Sequence, residues 1–157
     1  RPHVCFVPVA LHSATAESSS AALPGARGGP GVKYRCVPGV GGARHARKGA
    51  LNGARRNASF RGYADYMQTP EFAVNVQNVM EFAAHERCAL MCAEAVPWRC
   101  HRSLIADALI LRGMRVEDII SANGRKLHLM TPWARTDGLK ISYPLDAPDA
   151  MATVADK

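Results

Sequence analysis

Residues 88–113 read CALMCAEAVPWRCHRSLIADALILRG, and they hold the only place where chain pattern and reactive side chains coincide. Cys88-Ala-Leu-Met-Cys92 is an apolar run of strand length, 93–98 carries Glu94 and Pro97, and 99–112 has helical apolar spacing. The predicted order is strand, loop, helix. In α/β proteins such a junction lies at the carboxyl end of a strand, where the free N–H groups of the next helix face a ligand crevice. Cys92, Glu94, Cys100, His101 and Arg102 all fall there.

Upstream, Val32 to Val37 alternates apolar and basic residues, the pattern of a half-buried strand. Pro38-Gly39 ends it, and Gly41-Gly42 opens a basic segment over 43–56. A glycine pair followed by basic residues can cradle phosphate with backbone N–H groups, although the spacing of a Walker or dinucleotide fingerprint is missing. A short amphipathic helix starts near Ser59 and puts Tyr63, Tyr66 and Met67 on one side. Arg61, Tyr63 and Tyr66 are candidates to line the cleft, against the alternative that such aromatics pack the core. Thr69 reads as an N-cap with Pro70 at the first helical position, and Phe72, Val76, Val79, Met80 and Ala83 form one apolar stripe. Downstream, Gly113 serves as a C-cap, Met114 to Ile120 as a strand, Asn123-Gly124 as a turn, and Leu127 to Trp133 as a last ordered piece.

MCAE, then a proline, then CHR and an apolar helix ending in glycine resembles the signature of the domain-of-unknown-function 488 family. The likeness runs through Pro38 to Gly42, Asn57 to Met67, Thr69 to Phe72 and Val116 to Ile120, roughly residues 32–135. The resemblance implies an α/β fold, a three-layer α/β/α sandwich with a mostly parallel sheet, and a shared cleft. It brings no assigned reaction. It also implies a first strand ending in an Asp-Val-Arg-type motif followed by a helix, and residues 1–31 hold neither. That strand and helix are therefore expected to be missing or replaced, residues 1–31 being a disordered leader with two readings: an out-of-frame translation of a GC-rich gene, or a divergent but genuine leader. On the first reading the chain is an inactive, damaged copy of its family, an alternative to the functions below. The single α/β domain is then 32–146, with a flexible tail at 147–157.

Bulk properties agree with one domain. The chain has 157 residues, 48% hydrophobic and 21% charged, which excludes whole-chain disorder and two ordinary domains. No apolar run is long enough to span a bilayer and no signal-peptide order opens the chain, so the cytosol is expected and no membrane partner. Cysteines at 5, 36, 88, 92 and 100 are odd in number and do not read as a disulfide framework. Of the net charge of +7, residues 1–60 carry +8 and the rest −1, so the basic character is N-terminal.

Three chemistries compete at the junction. As a nucleophile, Cys100 or Cys92 attacks, His101 or Glu94 handles the proton, and Arg102 holds an anion; a helix N-terminus flanked by Arg99 and Arg102 favours the thiolate. As a metal site, Cys88 and Cys92 lie ~13 Å apart along a strand, and consecutive Cys100 and His101 diverge by ~100° inside a helix, so no metal is assigned. As an acid–base site, Glu94 is the working group. The plain alternative makes the cysteines core residues and pairs Arg99 and Arg102 with Glu94 or Asp107. The resulting expectation is a catalytic group of Cys100, His101, Glu94 and Cys92, and an anion-binding group of Arg102, Arg99, Gly41, Gly42 and Arg61. No cofactor is expected. The partner is an anionic small molecule or nucleic acid, and the competing function is a non-catalytic nucleotide- or nucleic-acid-binding module.

Overall fold

The computed structural model describes residues 4–8, 32–34, 37–41, 44–45, 52–53, 58–92 and 100–144. It is a mixed α/β structure. Three strands, β1 (Val4–Pro8), β2 (Val32–Tyr34) and β3 (Arg87–Met91), form a sheet in the order β2-β1-β3 with parallel pairing on both sides of β1. Val4 is opposite Val32 on one side and Arg87 on the other.

This corrects the expectation that the first strand is missing or replaced. Residues 4–8 are the middle of the sheet. Pro8 does not break the strand because it is the strand's last residue, where a missing N–H costs the ladder least. The other residues of the expected leader that follow Pro8, up to 31, and the expected tail at 147–157 lie outside the described residues.

Two helices follow β2. Helix α1 (Ala58–Tyr66) buries Tyr63, Ala64 and Tyr66, with Met67 just beyond its end, as its apolar spacing requires. Gly62 lets α1 lie against the backbone of Arg44: a Cβ there would stand 2.0 Å from the Arg44 carbonyl oxygen. The turn between the helices is closed by Thr69, whose side chain accepts from the Phe72 N–H at 3.2 Å, and Pro70 opens α2 (Pro70–His85). Phe72, Val76 and Val79 form the buried stripe of α2.

Helix α3 (Arg102–Leu111) is apolar on most of its surface and is buried from Ser103 to Leu109. Its end is a Schellman motif: Gly113, at φ 80°, donates to Ile110, and Met114 donates to Leu109 at 3.0 Å. Beyond it the chain departs from a mostly parallel sheet. Strands β4 (Glu117–Ile119) and β5 (Arg125–Leu127) form an antiparallel hairpin around the Asn123-Gly124 turn, and β6 (Arg135–Asp137) and β7 (Lys140–Ser142) form a second, turned at Gly138. Order therefore runs past the expected last piece at Trp133. Ile141 and Tyr143 enter the core, and Tyr143 N–H donates to the buried Asn52 side chain, which itself donates to Asp65 at 2.6 Å.

Candidate functional site

Strand β3 ends at Met91, immediately before Cys92, and α3 begins at Arg102, immediately after Cys100 and His101. The helix thus starts three residues later than its apolar spacing suggests, and the thiol and imidazole sit in the turn leading into it. Cys100 is 1% exposed and His101 2%. The Cys100 sulfur faces donors. The Arg102 Nε lies 3.3 Å from Cys100 Sγ, the Arg102 backbone N–H at 3.5 Å, and His101 Nδ1 at 3.6 Å. The Ser103 hydroxyl donates to the Cys100 carbonyl at 3.0 Å and fixes the turn.

These groups hold the Cys100 thiol far below its ordinary value of 9.0, at about 3. The hydrogen bond from the Cys92 thiol contributes most. Burial opposes it, and His101 and the two Arg102 donors add to it. A sulfur ringed by donors at a helix N-terminus is stabilised as a thiolate.

Cys92 Sγ, Cys100 Sγ and one ring nitrogen of His101 lie within 4.8 Å of one another, so they could supply three ligands to one metal ion. The expected divergence of Cys100 and His101 does not apply, because both precede the helix and their side chains converge. Against a metal stands the Arg102 guanidinium, a cation already placed at the sulfur a metal dication would need.

Behind the turn, the Tyr63 ring packs on the His101 ring at 5.0 Å, so this tyrosine is part of the site as well as of the core. Its hydroxyl donates to the Val40 carbonyl at 2.6 Å, and burial pushes its phenol pKa well up. Among the described residues His101 Nε2 has no hydrogen-bond partner although it is buried. Arg102 also lines a cavity of about 180 Å³ bounded by Cys88, Leu90, Leu109, Arg115 and Asp118.

The structure therefore brings together Cys92, Cys100, His101 and Arg102. Glu94, Arg99 and Gly42 lie outside the described residues. Gly41 does not offer its N–H to a phosphate: it is buried and donates to the Pro38 carbonyl at 3.1 Å, closing the 3-10 turn Pro38–Val40. Arg61 is half-buried on α1, two residues before Tyr63 and so about 200° around the helix from the ring that meets His101.

The sequence-based pairing of Asp107 with arginine is also corrected. Asp107 is 0% exposed and accepts from the Thr131 N–H at 3.0 Å, the Thr131 hydroxyl at 2.6 Å and the Tyr143 hydroxyl at 2.8 Å. Its fourth partner is His128 Nε2 at 3.2 Å, while His128 Nδ1 lies 2.8 Å from Asp118. A lone Asp in the apolar run LIADALIL was the only signal in the sequence that such partners had to exist.

Residues 11–109 match the sequence profile described as "Domain of unknown function DUF488". The chain belongs to the DUF488 family. The match starts within the expected leader and ends on α3, so the DUF488 region takes in β2, β3 and the whole Cys92 to Arg102 junction, while both hairpins lie beyond it. Neither a curated protein nor a solved structure matches the chain. Among the described residues no helix is long and apolar enough to cross a membrane.

Proposed function

We propose that this chain is an enzyme acting on a phosphate-bearing substrate, a nucleotide free or within a nucleic acid, with the Cys100 sulfur as nucleophile. The observation that carries this reading is the convergence of Arg102 Nε, Arg102 N–H and His101 Nδ1 on one sulfur within 3.6 Å. A nucleophilic thiol needs its proton removed and its charge held, and this turn does both. Arg102 has the second task of attracting the anion, since it reaches from the sulfur to the adjoining cavity. His101 is the group that can pass a proton to the leaving oxygen. Tyr63 fixes the imidazole plane from behind. The three-layer α/β/α arrangement, with the site at the carboxyl end of β3, is part of the same reading.

The test is release of phosphate or nucleoside from a panel of nucleotides and a short oligonucleotide by the full chain. Turnover falling to background in Cys100→Ser, with substrate still bound, is the expected result. Arg102→Lys is expected to raise KM, because a point charge replaces the guanidinium fork. Binding that collapses with salt, with no turnover across the panel, would overturn the enzyme and leave a phosphate-binding module.

A further inference from the structure

We propose that Cys92 and Cys100 form a redox-active pair, Cys100 attacking small-molecule disulfides and Cys92 resolving the adduct into an internal disulfide. The inference rests on the same reactive sulfur as the proposed enzyme but gives it a second reaction, thiol–disulfide exchange. Three observations lead to it.

Neither residue is in a disulfide, and their sulfurs lie within 4.8 Å of each other. A disulfide needs ~2.05 Å between sulfurs, a gap that side-chain rotation and a small backbone shift can close when neither cysteine is locked into a long helix or strand interior. Both meet that condition: Cys92 follows the last residue of β3 and Cys100 precedes the first turn of α3. The two sulfurs are also unlike. Cys100 is enclosed by Arg102 and His101, whereas Cys92 is half-buried and is the more exposed of the two. Cys88, the third of the cysteines whose side chains are described, lies on the same strand as the approach to Cys92 but faces the cavity beside Leu90 and Leu109, outside the cluster.

The exchange balances as follows. The Cys100 thiolate attacks one sulfur of an external disulfide, forming a mixed disulfide and expelling one thiolate. The Cys92 sulfur then attacks Cys100 Sγ, its proton leaving with the second external thiol. Two electrons pass from the cysteine pair to the external disulfide, which ends as two thiols. A sulfur whose thiolate is well stabilised is a good leaving group, so the internal bridge is opened readily by added thiol. The pair is therefore expected to behave as an oxidising couple, mostly reduced in a glutathione buffer dominated by the reduced form and bridged only when oxidised glutathione is in excess.

The experiment is mass spectrometry of the full chain incubated with oxidised glutathione. The expected product is a chain lighter by two hydrogens, with one cross-link joining the peptides that contain Cys92 and Cys100. Cys92→Ser is expected to stop at a glutathione adduct on Cys100, and Cys88→Ser to bridge as the unsubstituted chain does. A lasting glutathione adduct on the unsubstituted chain would overturn the proposal, as would a bridge through Cys88. So would one equivalent of tightly held metal that shields both thiols. The two proposals fail separately: loss of phosphate release leaves the mass shift standing, and absence of the bridge leaves phosphate release standing.

Discussion

Helix α3 carries two buried polar clusters about two turns apart, and they are built on opposite terms. At its start, Cys100 gathers donors, and the neighbouring His101 keeps one ring nitrogen without a partner among the described residues. In its middle, Asp107 has every approach filled: two hydrogen bonds from Thr131, one from Tyr143 and one from His128. A fully satisfied buried charge locks structure, while a partly satisfied one stores reactivity. The Asp107 cluster ties α3 to Tyr143, the residue after β7, and through His128 and Asp118 to the β4–β5 hairpin.

Breaking the structural cluster is expected to give the largest effect. Asp107→Ala strips four donors of their acceptor, and the loss should be roughly 3–5 kcal/mol in urea unfolding. A loss within ~0.5 kcal/mol would mean that α3 is not anchored through this side chain. Next is Gly62→Ala, which drives a methyl into the Arg44 carbonyl behind the site; about 1–3 kcal/mol is expected, because backbone cannot swing aside as a side chain can. Tyr63→Phe is smaller, about 1 kcal/mol for the hydrogen bond to Val40, and should leave Cys100 reactivity intact because the ring against His101 stays.

Two pH profiles sharpen the contrast further. The hydrogen bond to Asp107, with that to Asp118, holds the His128 pKa above its ordinary 6.5 against the opposing push of burial. Charged His128 thus contributes stability that is complete below 6.5 and is lost as pH rises through the folded-state value. His128→Gln should flatten that slope in chemical unfolding monitored between mildly acid and alkaline pH. The Cys100 cluster should show the smallest pH response of all. With its thiol at about 3, alkylation of Cys100 by iodoacetamide should not rise between roughly pH 5 and 8, whereas an ordinary thiol climbs about tenfold per unit there. A climbing rate at Cys100 would show that the thiolate is not formed at rest.

What was legible in the sequence was local. Thr69-Pro70, the apolar spacing of Phe72, Val76 and Val79, Gly113 and the Asn123-Gly124 turn each act within one turn of chain, and each does in the structure what its chemistry dictates. The site was legible to the same extent: Cys100, His101 and Arg102 are contiguous, so their association needed only one turn to be placed. Partners distant in sequence were hidden. Nothing in residues 100–110 says that Asp107 meets Thr131 and Tyr143, and nothing beside Val4–Pro8 announces strands that pair with it from 32 and 87. The convergence of Cys100 with His101 was missed for a narrower reason, the assumption of regular helix where the chain is still turning.

The position of β1 bears on how the chain is made. The central strand of the sheet leaves the ribosome before both of its partners, and one of its two edges finds β3 only after residues 87–91 have been synthesised. At ~5–20 residues per second the wait lasts several seconds. During that interval the apolar segment VCFVP has an unfilled edge in a parallel pairing that is slow to nucleate. The interval between synthesis of β1 and of β3 thus opens this sheet to capture by chaperones or by a second nascent copy, and a ribosome slowed between residues 9 and 87 should lower soluble yield more than one slowed after residue 144.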